Sequence, residues 1–134
     1  VFYQQRYQEL KILTINKFKN SDGSFGEGSQ SGYAFAIELG LDDPKKLCAL
    51  FVEKVKKDDY VFNSGIFAMA LSYEILSKYG YDEVIENWLL RKEAPSYQQM
   101  LKSGNQVLAE LFVGEHLSLI MQCLQAINNG IIKV

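Results

Sequence analysis

The feature that most constrains this chain is an alternation between two kinds of helical stretch. Residues around 30–39 and 64–79 are apolar on nearly every side, whereas around 44–57 and 82–91 charged residues interrupt the apolar ones. Helices of the first kind need cover over most of their surface, and helices of the second kind keep one wet face. The first pair is therefore expected to be the more buried. A helix-ending pattern, Gly40-Leu41-Asp42, also returns forty positions later as Gly80-Tyr81-Asp82. Stacked helical hairpins produce both regularities. Such a period fits an open helical-repeat solenoid and equally the hairpins of a closed α/α toroid, whose inner helices are buried and outer ones half exposed. Periodicity alone does not separate the two, although no consensus tetratricopeptide run is present.

The boundaries follow from local signals. Tyr3, Tyr7, Leu10, Leu13 and Phe18, with polar residues between them, predict an amphipathic first helix over 2–18. It stops in the turn cluster Asn20-Ser21-Asp22-Gly23-Ser24. Gln30 to Leu39 predicts a short interior helix that ends at Gly40. Asp43 caps a third helix with Pro44 at its first position, and Lys56-Lys57-Asp58-Asp59 ends it. Ser64 to Tyr79 predicts a fourth, with a cap expected in Asn63-Ser64-Gly65 and a close at Gly80. Asp82 opens a fifth, Pro95-Ser96 starts a short sixth, and His116 to Asn129 reads as the last. Only Gln106 to Val113 hints at a strand, so the class is all-α. Val1 lies inside what already reads as a helix, which suggests a piece of a longer protein.

Composition narrows the partners. Apolar residues make up 48%, charged residues 22%, and the formal net charge is -2. These values are those of a globular domain, and the well-mixed charges offer no basic field for nucleic acid. No apolar run reaches the ~20 residues that cross a bilayer, and no signal segment opens the chain, so no membrane partner is expected. Cys48 and Cys123 each sit in an apolar helical stretch without metal-ligand spacing and read as buried thiols. With a single histidine, His116, neither a metal nor another cofactor is implied.

In a toroid the inner helices end around a central pocket, so polar residues in the loops at that end become candidate ligands. Three loops qualify: Gly23 to Gln30, rich in glycine; Tyr60 to Gly65, with an aromatic pair before a helix start; and Gly104 to His116. The third holds Glu110 between Val107-Leu108-Ala109 and Leu111-Phe112. A carboxylate so flanked must be hydrogen-bonded, paired or raised in pKa, conditions common in catalytic sites but met also by structural ion pairs.

The order of Gln30-Ser31-Gly32-Tyr33-Ala34-Phe35-Ala36-Ile37, Ser64-Gly65-Ile66-Phe67, Ala94-Pro95-Ser96-Tyr97, Gly104 to Glu110 and His116 resembles the C-terminal part of the glycoside hydrolase family 78 α-L-rhamnosidase domain. The resemblance runs through nearly the whole chain. It implies that residues 1–134 form part of an (α/α)6 toroid built from antiparallel helical hairpins, completed by the remainder of a parent chain. It further implies a bacterial hydrolase that inverts configuration: one carboxylic acid protonates the leaving oxygen and one carboxylate activates water on the opposite face of the sugar. Glu110 matches the proposed base. His116 matches a histidine that orients the sugar, Gln30 falls in the matching inner helix, and Phe62 and Tyr97 are aromatic candidates for packing on rhamnose. The general acid's motif has no counterpart here. Ala109, Leu111 and Glu115 stand where the family has Trp, Arg and Asn, which keeps a non-catalytic sugar-binding relative in view beside a helical-repeat interaction module. The compartment, bacterial cytoplasm or periplasm and beyond, is left open by the resemblance.

Overall fold

A computed structural model of the chain describes residues 1–102. Among these, every regular element is a helix: α1 (Phe2–Phe18), α2 (Gln30–Glu38), α3 (Pro44–Lys57), α4 (Ile66–Lys78), α5 (Asp82–Leu89) and α6 (Tyr97–Lys102). The chain divides into two compact units with the boundary after Ile85.

In the first unit α2 packs against both α3 and α4. Its start meets the end of α3 and the residues just before α4, through hydrogen bonds from Gln30 to Asp58 and Val61. The helix pair α2/α3 is therefore antiparallel, and α4 runs the same way as α2. Each start has a local cause. The Ser29 hydroxyl accepts the Gly32 amide at the head of α2, and Asp43 accepts the Lys46 amide at 2.9 Å before Pro44 at the head of α3. Lys54, Lys56 and Lys57 fill the last turn of α3, where positive charge opposes the helix dipole. Leu47, Cys48, Phe51, Val52 and Val55 form its buried face, at the helical spacing expected of a single apolar stripe. Phe51 and Leu47 are fully buried, worth roughly 1.5–3 kcal/mol each relative to exposure.

The repeated Gly-X-Asp pattern is a repeated helix stop. Gly40 and Gly80 adopt φ of 59° and 79°. At the first, Leu41 donates to Ala36 and Gly40 to Ile37; at the second, Tyr81 donates to Leu76 and Gly80 to Ser77. Both are Schellman closures, in which a left-handed residue turns the chain so that the last carbonyls find donors. The end of α3 makes the same closure without glycine: Tyr60 donates to Val55 and Asp59 to Lys56, with φ of 56° at Asp59 and 57° at Tyr60.

Three expectations need correction. α2 is more buried than α3, but α4 is not: it buries Ala68, Ser72, Ile75 and Leu76, while Phe67 is 82% exposed. α4 packs through one stripe, and the described residues leave its other apolar side uncovered. α1 buries no residue, because its apolar side chains spread too widely around the helix for the one side that meets α2 through a Tyr7 hydroxyl bond to the Leu39 carbonyl. Finally, α4 starts at Ile66 rather than Ser64, with Gly65 as N-cap and no side-chain cap.

In the second unit the Trp88 indole is fully buried and meets the Tyr97 ring at 5.7 Å between centroids. Ser96, also fully buried, accepts the Gln99 amide at the head of α6, so the expected Pro-Ser helix start is present. Cys48 is free and buried as expected, its thiol pushed up to about 11 by desolvation. No helix among the described residues is long and apolar enough to cross a membrane. Cys123, the suggested strand at 106–113 and the helix expected from His116 lie outside the described residues.

Candidate functional site

The heads of α2 and α4 share one end of the first unit, and two of the three loops singled out from the sequence converge there. The glycine-rich loop is built by its own polar side chains. Asn20 donates through Nδ2 to the Ser24 hydroxyl at 2.9 Å and the Gly26 carbonyl at 2.8 Å. Asp22 accepts the Ser24 amide and hydroxyl, and these bonds hold its carboxyl below the usual carboxylate range. Phe25 is buried, and a Cβ on Gly32 would stand 3.0 Å from the Phe25 carbonyl oxygen. The loop therefore lies directly on the first turn of α2.

Gln30 joins this loop to the next. Its Nε2 donates to Asp58 Oδ2 at 2.8 Å and to the Val61 carbonyl at 2.7 Å, and its Oε1 accepts the Asn63 amide at 3.0 Å. Two acceptors on one side and one donor on the other fix the orientation of the carboxamide. Asp58 is held in turn by Lys54, whose Nζ reaches Oδ2 at 2.6 Å and also bonds the other carboxylate oxygen. Burial pushes the Asp58 carboxyl up, but the hydrogen bonds from Lys54 and Gln30 and the charges of Lys54 and Lys57 outweigh it, leaving the group below its ordinary value. Asp58 is thus anionic at neutral pH and a strong acceptor.

The sequence-derived site residues separate into three groups. Gln30 is 2% exposed, and both its amide hydrogens bond to protein acceptors. It lies at the expected end but as a tie between segments, with no donor left for a sugar. Phe62 is likewise 2% exposed, its ring edge-to-face with Tyr73 at 5.4 Å. That position leaves its ring almost no surface for rhamnose. Tyr97 belongs to the second unit, half-buried beside Trp88. Glu110 and His116 lie outside the described residues. Sequence reasoning gave Asn63 only a part in capping; it is exposed between buried Phe62 and buried Ser64. Its one available signal was a polar residue just before a helix start. No group of His, Cys, Asp and Glu among the described residues could hold a metal ion.

An antiparallel α2/α3 pair, with loops gathered at the heads of α2 and α4, defines an all-helical domain built on helical hairpins. The bacterial alpha-L-rhamnosidase six-hairpin glycosidase domain matches residues 2–124, and the chain belongs to that family. Its fold is similar to the alpha-L-rhamnosidase from Aspergillus terreus, with a TM-score of 0.74 and 21% identity over 82% of this chain. It is also similar to the Streptomyces avermitilis alpha-L-rhamnosidase complexed with L-rhamnose, with a TM-score of 0.72 and 18% identity over 82% of this chain. The chain spans 13% and 11% of the lengths of those two proteins. No curated protein matches it.

Proposed function

We propose that this chain is the C-terminal part of the catalytic domain of a glycoside hydrolase that removes terminal α-L-rhamnose with inversion of configuration. The observation that carries this reading is the family match over residues 2–124, and the fold agrees with it. The chain contributes one of the two carboxylates, Glu110, as the base that takes a proton from the attacking water. His116 and Tyr97 contact the sugar. The acid that protonates the leaving oxygen comes from the remainder of the parent chain, as do further walls of the pocket.

The test is to assay the parent protein on an aryl α-L-rhamnoside and to follow the anomeric configuration of the first-formed rhamnose by NMR. Release of the inverted anomer is the expected result; release of the retained anomer, or no turnover, rejects the reading. A second reading, a non-catalytic sugar-binding relative, is favoured by Ala109 and Leu111 beside Glu110. It predicts calorimetric binding of L-rhamnose without turnover.

A further inference from the structure

The segment between α3 and α4 is held more firmly than a connection requires. Asp59 and Tyr60 both carry positive φ, a conformation that side-chain-bearing residues avoid and that persists only where the surroundings over-determine it. Here Lys54 holds Asp58, Gln30 holds Asp58, Val61 and Asn63, and Phe62 is wedged against Tyr73. One residue of this segment gains nothing from the arrangement for itself. Asn63 has its backbone amide tied to Gln30, yet its side chain is exposed and makes no hydrogen bond among the described residues.

Two features beside it keep the place open. Among the described residues a Cβ on Gly65 would meet nothing within 4 Å, and its φ of -62° is one any residue adopts; neither packing among those residues nor backbone geometry demands glycine there. The Ser64 hydroxyl oxygen, one residue from Asn63, is buried without a hydrogen-bond partner among the described residues, in a residue only 8% exposed. Buried hydroxyls left unpaired are uncommon.

From this geometry we infer that Asn63 is a carbohydrate-contacting residue and that Gln30 is its positioning residue, acting through the bonds that bracket position 63. A planar carboxamide presents a donor and an acceptor side by side, which matches a pair of neighbouring sugar hydroxyls. Holding its backbone in advance lowers the ordering cost of that contact. The inference rests on the functional reading above and assigns Gln30 a part in it that needs no touch on the sugar.

The experiment is a double-mutant cycle in the parent protein with Gln30→Met and Asn63→Ala, each assayed on an aryl α-L-rhamnoside and on its monodeoxy analogues. Gln30→Met keeps the length and bulk of the side chain and removes the carboxamide. Each single variant is expected to lower kcat/KM about tenfold, the cost of one lost hydrogen bond of ~1.4 kcal/mol. The double variant is expected to be no worse than Asn63→Ala alone, and both penalties are expected to vanish together on the analogue that lacks the contacted hydroxyl. Additive penalties, or a Gln30→Met penalty that survives in the Asn63→Ala background, would overturn the positioning role and make Gln30 a separate contributor. An Asn63→Ala variant with parental kcat/KM on every substrate overturns the sugar contact. Amide hydrogen exchange at Asn63 gives a readout that does not depend on turnover: it should accelerate at least about tenfold in Gln30→Met, and unchanged exchange in a folded variant overturns the tie itself. A parent inert on all rhamnosides but with accelerated Asn63 exchange in the variant would overturn the functional reading and the sugar contact, and leave the tie standing.

Discussion

The Gln30 side-chain oxygen accepts the Asn63 backbone amide at 3.0 Å, linking the first residue of α2 to a residue thirty-three positions further along. Together with the bonds from the same carboxamide to Asp58 and Val61, it ties the head of α2 to the segment between α3 and α4. Replacing Gln30 by Glu separates its contributions. The carboxylate still accepts from Asn63, but it removes both donors and stands a second negative charge against Asp58. Two carboxylates at that distance disfavour joint ionisation, so the folded-state pKa of the pair rises. A raised folded-state pKa gives stability that is present at low pH and lost as pH rises through it. Urea denaturation should therefore show Gln30→Glu close to the parent chain near pH 4 and less stable by on the order of 2 kcal/mol at pH 7.

Asp58→Asn should show the opposite limb of the same linkage. The parent carboxyl is held below its ordinary value once the bonds from Lys54 and Gln30 overcome burial. A depressed carboxylate contributes stability that is present above its unfolded pKa, about 3.9, and lost as pH falls through the folded value. The variant, unable to titrate, should be less stable by on the order of 1–2 kcal/mol at pH 6, and the gap should close below about pH 4. A constant gap across that range would mean that the charge on Asp58 is not what stabilises the segment.

Two glycines should respond differently to alanine. Gly80 has φ of 79° with open space around its absent Cβ among the described residues, so the cost of Gly80→Ala is conformational, roughly 1–2 kcal/mol. Gly65 has equally open space among the described residues and an ordinary φ, but as the N-cap of α4 it stands where alanine is disfavoured, so Gly65→Ala should cost about 0.5–1 kcal/mol. If Asn63 contacts sugar, the added methyl should nevertheless weaken rhamnoside turnover, because it fills space beside that contact. A Gly65→Ala variant that folds with only that loss of stability and shows unchanged kcat/KM would show that the open space serves no ligand.

Much of this was legible in the chain because the signals were local. Asp43-Pro44 and Gly40 and Gly80 act on their own backbone within one turn, and the helices start and stop where those residues predict. The third closure, at Asp59 and Tyr60, was not legible, since no residue there favours a left-handed conformation strongly enough to announce it. The roles of Gln30 and Phe62 were misplaced for a related reason. Sequence put both near the heads of helices but carried no information on which side chains point inward; that depends on Asp58 and Val61 for Gln30 and on Tyr73 for Phe62, partners outside the local sequence pattern. The overestimate for α4 has another source. Apolar content reports how much cover a helix needs, and the described residues supply cover to only one of its faces. That Phe67 face is consistent with a chain spanning 13% of a longer similar structure.

The last prediction concerns Glu110 in the parent protein. Glu110→Gln should leave rhamnose binding largely intact and lower kcat at least about a hundredfold. Glutamine keeps the size and one carbonyl acceptor but cannot take a proton, so water at the anomeric carbon loses its base only in the transition state. An interaction lost there lowers kcat and kcat/KM alike, whereas loss of a uniform binding contact raises KM alone. His116→Ala should lean toward the second pattern, because a hydrogen bond to the sugar exists before the reaction and throughout it. Azide offers a separate check: as an anion it needs no base, and it should partly restore turnover of Glu110→Gln by forming the glycosyl azide of inverted configuration. Steady-state kinetics with and without azide, read beside calorimetric binding of L-rhamnose, measure all of these. Near-parental kcat in Glu110→Gln would remove Glu110 from the mechanism and return it to a structural role. A parent that binds L-rhamnose but turns over nothing would point instead to Ala109 and Leu111, the neighbours of Glu110 at which the resemblance leads one to expect Trp and Arg.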